Sequence, residues 1–305
     1  RAAGARVRDG FIVMAVVAIS YSHLRFPLFF YTMVDIGAYP MMLLAFWALF
    51  KQRYLIALGL CCIGLLFKEF LIVPSLILIV MLARTSRRKP SRKALTHLLL
   101  AIALIGCFVI IPRLFIPIES SVQFFDPVNN PDSLFLLLTA PAALRRSINI
   151  AFSLASYWLP SLMLLTWHRI NAIRTEIAPH RMLLGLHIVL VSLLALYGGT
   201  NIPVFISYTL PVQIVILGKL LRQRVHPLEL VWMVSAVALY NNLFSPIPDP
   251  TDHLQASVDF YAGYDNQINI ATLTRTLEMV FWLSSAVLLR TILYAQTRTR
   301  AIRQV

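Results

Sequence analysis

Residues 54–83 read YLIALGLCCIGLLFKEFLIVPSLILIVMLA, with one pair of charges, Lys68 and Glu69, near the middle. As a single helix the stretch would be ~45 Å long at ~1.5 Å per residue, well beyond the ~30 Å hydrocarbon core of a bilayer. It would also hold Lys68 and Glu69 at mid-membrane, where an ionised group is costly. As two helices folded at 68–69, both charges reach one face. The basic flanks, Lys51 with Arg53 and then Arg84 onward, fall together on the other. A hairpin of 54–67 and 70–83 is therefore expected, and it sets the alternation of everything on either side.

The rest of the chain has the same character. Of 305 residues, 59% are hydrophobic and 13% charged, and mean hydropathy is +0.75. Soluble domains carry about 25% charged residues, so a water-soluble globule and a disordered chain are both excluded. Continuous apolar runs, in place of alternation, exclude a membrane β-barrel. In lipid the backbone must satisfy its own hydrogen bonds, which leaves an all-α, polytopic helical membrane protein. Apolar runs and their flanks predict about ten transmembrane helices, near 11–22, 36–50, 54–67, 70–83, 95–116, 147–167, 182–199, 207–221, 228–244 and 277–294. Pro74, Pro160 and Pro211 fall inside these runs and predict kinks. The bulkiest connections are 117–146 and 245–276. The end of the first, LFLLLTAPAALRR, predicts a helix lying in the membrane interface. Because the sequence opens on Arg1, it is expected to be a piece of a longer protein.

The net charge of +14 is sorted rather than spread. With ten crossings, the connections at Arg1–Arg8, Lys51–Arg53, Arg84–Lys93, Arg169–Arg181, Arg222–Arg224 and Arg298–Arg303 share one side and hold 19 of the 27 basic residues. The other side collects 9 of the 13 acids. By the positive-inside rule the basic side, with both termini, is cytoplasmic. A bacterial inner or plasma membrane is the expected location. The stretch RTSRRKPSRK at 84–93 is a topology anchor beside anionic lipid, so the charge does not call for nucleic acid. Lys219 and Arg290 lie near inner ends, where long side chains snorkel to the interface. Cys61, Cys62 and Cys107 sit in apolar runs, as packing residues do.

Candidate chemistry gathers at the outer face. Asp35 opens the second span, and Lys68 and Glu69 close the third. One reading is a salt bridge locking two hairpins. The other is a site for a phosphorylated lipid, in which Lys68 holds phosphate and the carboxylates of Asp35 and Glu69 take part in catalysis, by proton transfer or through a divalent metal. Arg25, Arg113, Arg145 and Arg146 are basic residues near the same face. Singly each serves as a headgroup anchor; together they would line a site for an anionic lipid head.

The order of these features resembles the GT-C superfamily of integral-membrane glycosyltransferases, in its protein O-mannosyltransferase-like and aminoarabinose transferase-like branch. The stretch FFYTMVDIGAYPMMLLAFWALFKQRYLIALGLCCIGLLFKEFLIVPSLILIV carries it. An outer-face Asp35 opens a span, a basic turn follows at Lys51 and Arg53, and Gly64 through Lys68 leads to a helix with Pro74. Later, NIPVFISYTLPVQIVILGKLL is similar to a family helix through Tyr208 and Pro211, although Ser207 stands where arginine is usual. The resemblance implies a polyprenyl-phosphate-linked sugar as donor, an acceptor lipid, glycan or protein at the outer face, and Tyr208 as a substrate-binding residue. It also implies a principal catalytic acid in a large loop upstream of residue 11, which the sequence does not contain. A surface-polysaccharide polymerase or ligase and a secondary transporter share the general architecture. The transporter would add repeated halves, broken helices and charges near mid-membrane.

Overall fold

The computed structural model describes residues 7–19, 35–67, 71–88, 90–115, 140–197, 202–223, 225–240 and 273–302. Among these, regular structure is helical throughout and no strand occurs. In chain order the helices are α1 (Val7–Ile19), α2 (Asp35–Phe50), α3 (Tyr54–Phe67), α4 (Ile72–Arg88), α5 (Arg92–Phe115), α6 (Ala140–Tyr157), α7 (Leu159–Leu164), α8 (Trp167–Ile177), α9 (Arg181–Tyr197), α10 (Ile202–Ser207), α11 (Leu210–Arg222), α12 (Pro227–Leu239) and α13 (Leu273–Ile302). A 3-10 turn, Ala178–His180, joins α8 to α9.

Three helical stretches are long and apolar enough to cross a membrane on their own: Arg92–Ile111, Trp167–Leu196 and Thr276–Gln296. Ala38–Phe50, Tyr54–Leu66 and Pro227–Leu239 are apolar but shorter. Burial runs opposite to that of a soluble protein. Leu55, Leu66, Leu99, Val231, Val287 and Leu288 are among many large apolar side chains left exposed. In water so much open apolar surface would drive association; against lipid it is the expected outer face.

The hairpin 54–83 is two helices packed on each other, α3 and α4. Gly64, near the end of α3, shows how closely the chain folds back, since a Cβ there would run into the side chain of Leu71. The α2–α3 turn is equally tight. Gln52 takes a left-handed φ of 56°. Arg53 N donates to Ala48 O and Gln52 N to Leu49 O, the paired bonds of a Schellman ending with glutamine where glycine is usual. Helices α2 to α5 form one apolar cluster with α9 and the start of α11, through Met42, Leu49, Leu58, Ile77, Leu183 and Val212. Helix α11 also meets α1, α7 and α8. Beyond it, α7, α12 and α13 share a smaller core around Leu159, Met163, Ala236 and Trp282.

The helices run past several expected limits, as α4 does to Arg88 and α13 from Leu273 to Ile302, α8 is helical where a connection is expected, and two expected runs are broken. The run expected as one span over 147–167 belongs to a helix that begins at Ala140, breaks at Trp158 and resumes as α7. Arg145 and Arg146 thus lie in the same helix as the span that follows, not in a separate interfacial one. The run 207–221 likewise starts earlier, at Ile202, and breaks at Tyr208 and Thr209. Both breaks have the same cause. Pro160 and Pro211 lack an N–H and fit only the first turn of a helix, and each stands in the first turn after its break. The prolines restart helices here rather than bending them midway.

Candidate functional site

Topology brings the start of α2 and the end of α3 to one end. Helices α2 and α3 are antiparallel neighbours joined by the tight basic turn, so the start of α2, at Asp35, and the end of α3, at Phe67, lie away from that turn together. Residues 68–70, and with them Lys68 and Glu69, lie outside the described residues, as does Arg25. Asp35, Arg113, Arg145 and Arg146 are placed by their backbones only, at the first residue of α2, near the end of α5 and in the second turn of α6. The connections 117–139 and 245–272 also lie outside the described residues. Among those described, no three His, Cys, Asp or Glu side chains gather where they could hold a metal ion.

Tyr208 is the one expected site residue whose side chain is described. It is fully buried at the α10–α11 break, its ring stacked on that of Tyr39 at 5.1 Å. A polar seam surrounds it. Ser207 Oγ bonds Tyr39 OH, and His187 Nε2 donates to Tyr208 O at 2.8 Å. Thr209 Oγ1 donates to Ile206 O at 2.8 Å and accepts from Trp158 Nε1 at 3.2 Å. Gln213 Nε2 donates to Tyr157 O at 2.6 Å. The two helix breaks therefore face each other. Side chains of α9 (His187), α11 (Gln213) and the break itself (Thr209) take up carbonyls the broken ladders release, while Tyr39 of α2 bonds the Ser207 hydroxyl. A helix interruption inside apolar surroundings persists only when its freed groups are satisfied in this way. The chemistry is that of a brace. Three of the backbone oxygens at the breaks, those of Tyr157, Ile206 and Tyr208, already accept a side-chain hydrogen bond.

The strongest electrostatic cluster lies at the basic end. Glu229, in the first turn of α12, accepts from Arg169 Nη2 at 2.6 Å and from Arg290 Nε at 2.8 Å. Arg169 Nη1 donates to Leu164 O at 2.9 Å and Arg290 Nη1 to Leu165 O at 2.7 Å, so the two guanidiniums also cap the end of α7. Glu229 further closes a capping box by accepting from His226 N at 3.3 Å. Beside this cluster, Glu176 of α8 takes Lys219 at 2.7 Å and Arg222 at 3.6 Å. Neither Lys219 nor Arg290 reaches outward alone as expected; each is held by a carboxylate. Glu229 and Glu176 fall on the basic side, away from the face where the sequence concentrates its acids. Their signal was present: each lies in a basic connection or at its edge.

Two further contacts join the edges of the basic connections at 51–53 and 84–93 to the turn before α9 and to the start of α9. Phe50 stacks on His180 at 3.7 Å, and Arg84 Nη1 donates to Met182 Sδ at 2.8 Å. Arg53 stands over the Trp47 ring at 5.4 Å. Trp47, Trp167 and Tyr294 are all substantially exposed, as interface anchors are.

No known protein family, curated protein or solved structure matches the chain.

Proposed function

We propose that the chain is a ten-crossing membrane glycosyltransferase-like protein of a bacterial inner or plasma membrane, with both termini on the cytoplasmic side. It transfers a sugar from a polyprenyl-phosphate donor to an acceptor lipid, glycan or protein at the opposite face. Helices α1 to α5, α6 with α7, α9, α10 with α11, α12 and α13 supply the crossings. The supporting observation is the juxtaposition of the start of α2 with the end of α3, away from the basic turn that joins them. Asp35, Lys68 and Glu69 then serve one cavity at the outer leaflet. Lys68 offsets the phosphate charge. A carboxylate takes the proton of the acceptor hydroxyl as that oxygen bonds to the anomeric carbon, and the sugar–phosphate C–O bond breaks with polyprenyl phosphate as leaving group.

Binding of a polyprenyl-phosphate sugar to membranes holding the protein tests this. Lys68→Met removes a charge-assisted hydrogen bond of ~1.5–3 kcal/mol, a loss of roughly 10- to 150-fold in affinity. Asp35→Asn lowers turnover with the donor still bound. Donor binding and transfer that survive both changes reject the site. A secondary transporter draws support from the two facing helix breaks. Against it, the carbonyls at those breaks accept from Gln213, His187 and Thr209, and an ion site needs such carbonyls open.

A further inference from the structure

An open cavity of about 260 Å³ lies at the basic end between the α2–α3 turn and the first half of α5, lined by Gln52, Arg53, Tyr54, Leu55, Ile56 and His97. Its rim is cationic. Arg53 lines it, and Lys51, Arg92 and Lys93 stand exposed on the flanking turn and helix start. Nothing in the local sequence balances them: between Ile36 and Phe115 the single acid is Glu69, sixteen residues from Arg53 in the chain. Past the rim the walls are apolar. Leu55, Ile56 and Ile63 on α3 and Leu95, Leu99 and Ile102 on α5 are exposed large hydrophobics. Gly59, one turn along from Leu55 and Ile56, has open space where a Cβ would project.

We propose that this cavity seats the headgroup of an anionic phospholipid from the leaflet at the basic end, with its acyl chains along the exposed faces of α3 and α5. Charge complementarity and the apolar walls select that occupant. A phosphate accepts from the Arg53 guanidinium and from a His97 ring N–H, which either neutral tautomer provides. Arg53 is already stationed at headgroup level by its contact with Trp47, 5.4 Å from the ring centre. The missing side chain at Gly59 leaves room for a hydrocarbon chain beside α3. The inference rests on the membrane-spanning reading above, and its test separates the two.

Membranes holding the protein are first washed with alkaline carbonate; release into the aqueous phase overturns the membrane reading and this site with it. Protein that stays is purified in maltoside micelles and titrated with phosphatidylglycerol or phosphatidylcholine, with bound lipid counted by native mass spectrometry. Phosphatidylglycerol is expected to bind in preference. Arg53→Gln and His97→Gln each lower its affinity, Arg53→Gln by about ten-fold, the size of one charge-assisted hydrogen bond. Gly59→Leu weakens both lipids by filling the groove, and Arg88→Gln, in the exposed basic loop, changes neither. Circular dichroism melts show whether each variant is folded. Three outcomes overturn the site: a preference unchanged in folded Arg53→Gln and His97→Gln protein, an equal loss in Arg88→Gln, or glycerol phosphate competing as well as the intact lipid.

Discussion

Two clusters of cations share the basic end and are handled in opposite ways. In the C-terminal half, Arg169, Arg290, Lys219 and Arg222 are each matched to Glu229 or Glu176. In the N-terminal half, Lys51, Arg53, Arg87, Arg88, Arg92 and Lys93 are exposed, and no acid stands near them in sequence. Burial decides which solution each needs. Arg169 is 8% exposed and Glu229 7%, and a charge that far from water must find its partner inside the protein. The N-terminal cations can be matched by solvent and by lipid phosphate. The first cluster is thus part of the architecture, and the second is an exposed cationic surface, the kind that the proposed lipid site requires.

Removing the shared carboxylate is the harshest way to break this contrast. Glu229→Gln leaves Arg169 and Arg290 facing each other, largely buried, with no counter-charge. Breaking a buried pair in this way costs about 3–5 kcal/mol. The two arginines also tie the start of α8 and the middle of α13 to the end of α7 through the Leu164 and Leu165 carbonyls. The midpoint of thermal unfolding in micelles should fall steeply, and raising the salt concentration should not reproduce the fall, because salt screens buried pairs weakly. A variant that melts with the parent would place this cluster in the same class as the exposed cations.

The N-terminal half, lacking such pairs, depends on apolar fit. Gly64→Ala sharpens that side of the comparison. The added methyl would collide with the side chain of Leu71, which is fully buried and must shift among its packed neighbours to make room. Overpacking of this kind costs about 1–3 kcal/mol. It should loosen the α3–α4 hairpin and raise protease sensitivity near residues 68–70 without disturbing the Glu229 cluster. Loss of stability as large as that of Glu229→Gln would mean that the two halves do not differ in the way described.

Much of the helical framework was legible because apolar length and flanking charge are local properties. The α3 expectation and the helix coincide at 54–67, and α9 and α12 lie close to the expected runs. The breaks at Trp158 and at Tyr208–Thr209 were half-legible. Pro160 and Pro211 announced an irregularity, but a kink and a restart have the same sequence, and only the partners Gln213, His187 and Thr209 decide between them. Thr209 bonds within its own turn, but Gln213 reaches Tyr157 O and His187 reaches Tyr208 O from other helices, so no short window of sequence contains those pairs. The ion pairs were hidden for the same reason: sixty residues separate Arg169 from Glu229, and another sixty-one separate Glu229 from Arg290. The proposed outer-face site rests on a pattern in the sequence, Asp35 and then Lys68 with Glu69. The structure adds the shared end of α2 and α3 and describes none of the three side chains.

The smallest effect belongs to Glu176, which stands between the two kinds of cluster. It pairs with Lys219 and Arg222 at the basic end, yet its side chain is 31% exposed and that of Arg222 38%. Water therefore competes for both partners. Exposed pairs contribute only about 0–1 kcal/mol, and Lys219, at 13% exposure, places this one toward the upper part of that range. Glu176→Gln should lower the unfolding midpoint slightly in low salt. In high salt it should leave little difference from the parent, since the Debye length shrinks from ~10 Å at 0.1 M to ~3 Å at 1 M. Glu229→Gln should keep its deficit at both concentrations. If the Glu176→Gln deficit also persisted in 1 M salt, the α8–α11 contact would belong with the buried cluster, and the boundary between internally matched and membrane-matched cations would move outward to Arg222.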